Sequence, residues 1–158
     1  MTPALTSRAL RVRRLQPADL ERVVAIDARH RGRAVPEYWQ RVRDAFMIRD
    51  RERARVALAA ESDGRLVGYL LGEVRAFEFG SEPCGWIFAV GVEPEAMRDG
   101  VGSRLLAEAC RRFREAGIDL VRTMVRRSDV PVLSFFRAHG FAAGEFTELE
   151  IRILEEPT

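Results

Sequence analysis

The segment Val90-Gly91-Val92-Glu93-Pro94-Glu95-Ala96-Met97-Arg98-Asp99-Gly100-Val101-Gly102-Ser103 joins an apolar run to an amphipathic one, and two glycines sit where the second run begins. Glycine costs roughly 1 kcal/mol relative to alanine inside a helix, so a pair in a first turn calls for a compensating reason. Close approach of backbone to a ligand is one such reason. The first N–H groups of a helix lack intrahelical partners and stand at its positive dipole end, so they form a phosphate site that needs no lysine. Close packing of helix on sheet through a tight turn is the other reason, and Gly100 and Gly102 alone leave the choice even. Two other phosphate loops are absent. A Walker loop requires Gly-Lys-Ser/Thr, and a dinucleotide fingerprint requires a third glycine where Leu105 stands.

Few other residues are spaced for chemistry. Glu73 and Glu82 lie near strand ends and read as solvated carboxylates with access to a cleft. Ser134 and Tyr38 carry hydroxyls, one on a helix surface and one beside Trp39. His139, next to the helix-ending Gly140, is placed to meet the negative end of that helix, and His30 sits in an arginine-rich loop. Cys84 and Cys110 have no metal-ligand spacing and read as reduced, buried thiols, so no metal is expected.

Hydrophobic periodicity supplies the elements that must position these groups. A first strand is predicted near Leu10 to Leu15, a helix after Gln16-Pro17-Ala18-Asp19-Leu20, and a second helix from Pro36 to Met47. Arg55 to Glu61 and Arg65 to Arg75 read as a hairpin about Asp63-Gly64. Cys84 to Val92 is nearly continuously apolar, as a central strand buried on both faces requires. From Gly100 the period becomes helical, with Val101, Leu105, Ala109 and Phe113 in one stripe and an end near Gly117. Asp119 to Val125 reads as a fifth strand, Pro131 to His139 as a short helix, and Phe141 to Leu154 as closing strands. The class is α/β with a mixed sheet.

A strand ending Val90-x-Val92-x-Pro94, followed by Met97-Arg98-Asp99-Gly100-Val101-Gly102 and a helix, resembles the acyl-CoA-binding motif of GNAT acetyltransferases, with Met97 where that family usually has glutamine or arginine. Downstream, Phe135-Phe136-Arg137-Ala138-His139-Gly140-Phe141 resembles the family's Leu-Tyr-x-x-x-Gly-Phe signature. The resemblance runs from about Arg11 to Ile153, although the amino-terminal third, where acceptors usually bind, matches in element order only. It implies a GNAT fold: a largely antiparallel sheet of six to seven strands, a V-shaped splay between the fourth and fifth strands, and about four helices. It also implies acetyl-CoA as co-substrate. The backbone of Val90, Gly91 and Val92 would pair with the pantetheine arm as an added strand, and the amides of Arg98, Asp99, Gly100, Val101, Gly102 and Ser103 would hold the pyrophosphate. Arg98 either adds charge there or is an ordinary turn residue. Asp129 and Phe136 match further cofactor-side positions of the family.

The same resemblance leaves the catalytic residues unknown. Met124 stands where ribosomal-protein-type members carry a glutamate, Asp129 replaces the usual asparagine, and Phe136 takes the place of a tyrosine thought to reprotonate the thiolate. A phenylalanine has no hydroxyl to donate. Two readings follow: an N-acetyltransferase acting on a small-molecule amine or a peptide amino terminus, and a catalytically impaired acyl-CoA-binding regulatory module.

Composition bounds the rest. A chain of 158 residues with 47% hydrophobic content fits a single domain, here spanning residues 1–158. No apolar stretch approaches the roughly 18 residues of a membrane span, and no signal pattern opens the chain, so a cytoplasmic protein without a membrane partner is expected. All 26 basic residues are arginine, yet the net charge is only +2. Arg11, Arg13 and Arg14, or Arg49, Arg51, Arg53 and Arg55, form the densest clusters. Acidic residues interrupt the second, and no aromatic interleaving or DNA-reading motif accompanies either, so no nucleic-acid partner is expected. A homodimer stays open.

Overall fold

The computed structural model describes residues 9–48 and 55–154; Arg49, Arg51 and Arg53 lie outside them. The chain divides into two compact units, Met1–Met124 and Val125–Thr158.

In the first unit the order is β1 (Leu10–Arg14), α1 (Leu20–Arg31), α2 (Pro36–Arg43), β2 (Arg55–Ser62), β3 (Arg65–Arg75), β4 (Cys84–Val92), α3 (Val101–Glu115) and β5 (Val121–Thr123). The strands lie in sequence order, antiparallel from β1 to β4, with β5 added parallel to β4. Asp63 and Gly64, at φ 54° and 76°, both adopt the left-handed conformation that a two-residue hairpin turn demands, so the predicted Asp-Gly turn sets the β2–β3 register. The second helix ends earlier than its pattern predicts, because Asp44–Ile48 continue α2 as a wider π-helical turn.

Period-two alternation sorts the two faces of the sheet. Val23 and Ile26 of α1 and Trp39 and Val42 of α2 pack with Ala59, Tyr69 and Leu71 on one face. On the other, α3 buries Val101, Leu105, Leu106, Ala109 and Phe113. Each buried Val, Leu, Ile or Phe side chain among these contributes roughly 1.5–3 kcal/mol of transfer free energy. Glycines let α3 sit this close: a Cβ on Gly68 would lie 2.8 Å from Val101, and one on Gly85 would lie 2.7 Å from Phe113.

The second unit contains α4 (Val130–Ala138). The Asp129 carboxylate accepts from the Val132 N–H at 3.3 Å and caps this helix. Residues 141–154, expected to supply closing strands, belong to no strand, so the sheet has five strands among the described residues and not six or seven. Alternating side chains define two faces, but a strand also needs a neighbouring backbone for its N–H and C=O groups, and none is in register with this segment. No helix of the described residues is long and apolar enough to cross a membrane.

Candidate functional site

The site is built on the last third of β4. A one-residue bulge at Phe88 interrupts its pairing with β3: Leu71 faces Ala89, whereas Gly72 faces Ile87. Before the bulge, Gly85 donates its N–H to the Leu120 carbonyl at 2.8 Å, so the odd-numbered residues address the β5 side. After it, Glu93 donates to the Val67 carbonyl at 2.8 Å, which turns the odd residues toward β3. Successive peptide groups in a strand point to opposite edges, so Val90 and Val92 present their N–H and C=O groups away from β3.

That edge is open. β5 pairs only with Gly85, Trp86 and Ile87. Its ladder ends where the Thr123 hydroxyl donates to the Ile87 carbonyl at 2.9 Å. Beyond this point β4 runs on for five residues without β5, which is the splay the sequence implied. His30, at the end of α1, donates its Nε2–H to the Val92 carbonyl at 2.6 Å and thereby fixes its own tautomer. Nothing local in the sequence pairs His30 with Val92; the contact follows from α1 packing against β4.

The handover from β4 to α3 is held rigidly. Glu93 is 8% exposed, and both Arg22 and Arg65 reach its carboxylate, the latter at 3.1 Å. Its carbonyl accepts from the Ala96 N–H at 2.9 Å, opening a 3-10 turn at Pro94–Ala96, and the Asp99 N–H then bonds the Ala96 carbonyl at 3.1 Å. Gly100, at φ 76°, is the N-cap of α3 and brings no side chain to cap it, and no atom lies within 4 Å of where its Cβ would stand. The first intrahelical bond runs from the Arg104 N–H to the Gly100 carbonyl at 3.0 Å, so the amides of Val101, Gly102 and Ser103 precede the helical ladder. Arg98, Asp99 and Gly100 are exposed, Gly102 and Ser103 half-buried, and Val101 points into the core. Glu93 was missed as a functional residue at the sequence level; its signal was a carboxylate wedged between Val92 and Pro94 in an apolar-to-turn transition.

A polar cluster lies on the α1–α2 face beside this edge. Gly91 is bare where the Tyr69 ring crosses it: a Cβ there would fall 2.6 Å from Tyr69 Oη. Tyr69 packs edge-on against Trp39, whose indole N–H donates to Asp27 at 3.0 Å, and Arg31 also donates to Asp27 at 3.1 Å. Burial, reinforced by the Asp27 charge, holds the Tyr69 phenol above the ordinary tyrosine range, so it is a hydrogen-bond donor at neutral pH. No sequence signal marked Tyr69, because its reach depends on the β3–β4 register that sets it opposite Gly91.

The other candidates are placed as follows. Glu73 is paired with Arg75 at 3.3 Å, Glu82 is exposed, and Tyr38 packs on Trp39 with its phenol raised by burial. Met124 is 65% exposed at the end of the first unit. In the second unit Phe136 is buried among the rings of Phe135 and Phe141, with centroids 5.1 and 5.0 Å away, and Asp129 is occupied as the α4 cap. His139 donates its Nδ1–H to the Phe135 carbonyl at 2.8 Å. Cys84 is buried and Cys110 half-buried, both as free thiols, and the described residues hold no metal-ligating cluster. Several arginines are spent on acids: Arg13 bonds both Asp19 and Glu61, and Arg29 pairs with Glu95.

An unpaired strand edge running into a glycine-led helix is the geometry implied by the sequence resemblance, and comparison with known proteins shows the family. Residues 20–141 match the acetyltransferase (GNAT) family, and the chain belongs to that family. Among curated relatives, a mycothiol acetyltransferase of Saccharomonospora viridis is 32% identical over 91 residues, covering 56% of this chain and 30% of that protein. Another, from Sanguibacter keddieii, is 34% identical over 85 residues, 53% of this chain and 27% of its own. The chain thus spans under a third of the length of these relatives. Among solved structures, an aminoglycoside N-acetyltransferase in complex with CoA superposes with a TM-score of 0.78 at 14% identity, over 94% of this chain and 98% of its own. A transcriptional regulator from Bacillus halodurans gives 0.75 at 23% identity, over 92% and 100%.

Proposed function

We propose that this chain is an N-acetyltransferase that moves an acetyl group from acetyl-CoA to an amine. The β4 edge at Val90 and Val92, which pairs with no strand and leads into the glycine-led first turn of α3, carries the reading. The pantetheine arm lies along that edge as a short added strand, and the pyrophosphate sits on the remaining amides from Arg98 to Ser103, the Asp99 N–H being taken by the Ala96 carbonyl. His30 already occupies the Val92 carbonyl, so the arm uses the Val90 groups and the Val92 N–H.

Chemistry follows from this placement. The neutral amine attacks the thioester carbonyl, the C–S bond breaks, and the electron pair leaves on CoA sulfur while the ammonium proton passes to water. An outward N–H of β4 stabilises the developing oxyanion, and orientation of the two substrates supplies much of the rate. An alkyl ammonium has a pKa of about 10, so the attacking form is a minor one at neutral pH, whereas a thiolate with a reference pKa of about 8.5 departs readily. No side chain of the described residues is assigned as base. By their names the proteins above include mycothiol acetyltransferases and an aminoglycoside N-acetyltransferase, and the acceptor class proposed for this chain is a small-molecule amine or a peptide amino terminus.

A second reading, a CoA-binding module without turnover, is favoured by Phe136, which is buried and has no hydroxyl. Two measurements separate the readings: calorimetric titration with acetyl-CoA, and thiol release from acetyl-CoA across a panel of amines. Binding with amine-dependent thiol release supports the enzyme; binding without release supports the module; absence of binding removes both.

A further inference from the structure

Tyr69 belongs to the core of the first unit but carries a polar atom that the core does not use. It is 2% exposed on β3, opposite Gly91 of β4, and packs edge-on to Trp39 with ring centroids 5.3 Å apart. A Cβ on Gly91 would fall 2.6 Å from its Cε1, Cζ and Oη, so the far end of the ring lies across β4 and not along β3. The hydroxyl makes no hydrogen bond to any described residue. Asp27, whose charge acts on the phenol, accepts instead from Trp39 and Arg31. The atoms of the first unit leave the phenol oxygen incompletely enclosed. An unbonded hydroxyl on a buried residue costs free energy that phenylalanine, with the same ring, does not incur. The oxygen therefore points to a partner outside the protein.

The groups beside it define that partner. The Val90 carbonyl and the Val92 N–H flank Gly91 on the β4 edge that pairs with no strand. An arm paired there has its amides satisfied by the strand, whereas a thioester carbonyl oxygen gains negative charge during acyl transfer and needs further donors. Burial holds the phenol above its ordinary range, so beside a thiolate of reference pKa about 8.5 it keeps its proton and acts as a donor, not as an acid.

We propose that the Tyr69 hydroxyl donates a hydrogen bond to the thioester carbonyl oxygen and, together with a β4 N–H, holds the oxyanion. The inference rests on the acyl-transfer reading above and adds a side chain to it. As the amine nitrogen bonds the carbonyl carbon, the C=O π pair moves onto oxygen, which accepts from Tyr69 and from the strand. Its return re-forms C=O and expels CoA with the C–S pair, while the Tyr69 proton stays on Tyr69.

Tyr69→Phe keeps the ring and removes only the oxygen. Its urea unfolding midpoint is expected to equal or exceed that of the wild type, since no protein hydrogen bond is lost. Calorimetry compares acetyl-CoA with S-ethyl-CoA, a thioether without the carbonyl. The substitution is expected to weaken acetyl-CoA binding about threefold to tenfold and to leave S-ethyl-CoA binding unchanged. With any amine that the wild type acetylates, kcat should fall at least about tenfold with little change in KM for the amine. A variant that loses affinity for both ligands equally or for neither, keeps the wild-type kcat, or unfolds at clearly lower urea overturns the assignment of Tyr69 and leaves the acyl-transfer reading standing. A wild type that binds neither ligand overturns both. Where acetyl-CoA binds and no amine is acetylated, the ratio of the two affinities decides for or against Tyr69 by itself.

Discussion

Gly100 offers the sharpest test of the pyrophosphate site, because backbone and charge effects separate there. Its φ of 76° is strained for any L side chain, while no atom lies within 4 Å of the position a Cβ would take. Gly100→Ala therefore carries only the left-handed penalty, about 1–2 kcal/mol, which for a chain of this length lowers the melting temperature by about 2–8 °C. Gly100→Glu carries the same penalty plus a negative charge beside the bound diphosphate. At a separation of about 6 Å, Coulomb repulsion amounts to about 0.7 kcal/mol in water and about 3 kcal/mol at an effective dielectric of 20. The Glu variant should thus bind acetyl-CoA between about 3-fold and 100-fold more weakly than the Ala variant. The gap should narrow as salt rises. Isothermal titration of both variants, alongside thermal melts, reads both quantities. Equal acetyl-CoA affinity for the folded Ala and Glu proteins would refute the placement of the diphosphate at this turn.

Gly85→Ala drives a methyl to within 2.7 Å of the Phe113 ring, so stability measured by urea unfolding should fall by about 1–3 kcal/mol, and adding Phe113→Leu should recover part of it. Glu93→Gln leaves Arg22 and Arg65 facing an uncharged, largely buried amide; unfolding free energy should drop by about 2 kcal/mol, and acetyl-CoA affinity should fall with the loosened turn. Glu108 is held at about 2, first by its hydrogen bonds with Arg111 and then by Arg112, against an ordinary value of 4.5. Its contribution to stability is therefore complete above pH 4.5 and lost as pH falls toward 2. Arg111→Ala should move the Glu108 titration, followed by carbon-detected NMR, back toward 4.5.

Several features were legible in the residues before any coordinates. Continuous apolarity marked Cys84–Val92 as the buried strand, a 3.6-residue stripe marked α3, and Asp63-Gly64 marked the hairpin. Each of these is a local property, set by the conformational preferences and side-chain faces of residues close together in the chain. The position of the candidate site was legible for the same reason, since strand, turn and glycine-led helix follow one another within residues 90–103.

What the site presents was decided by contacts between distant residues. The bulge at Phe88 exists only in the pairing of β4 with β3, and it determines that Val90 and Val92, not Ala89 and Gly91, face the open edge. His30 meets Val92 across 62 positions of sequence, and Tyr69 reaches over Gly91 only because the register sets the two opposite. The strand pattern of residues 148–154 shows the converse. Alternation prescribes the faces of a strand, but a ladder needs a second backbone, which local sequence does not provide.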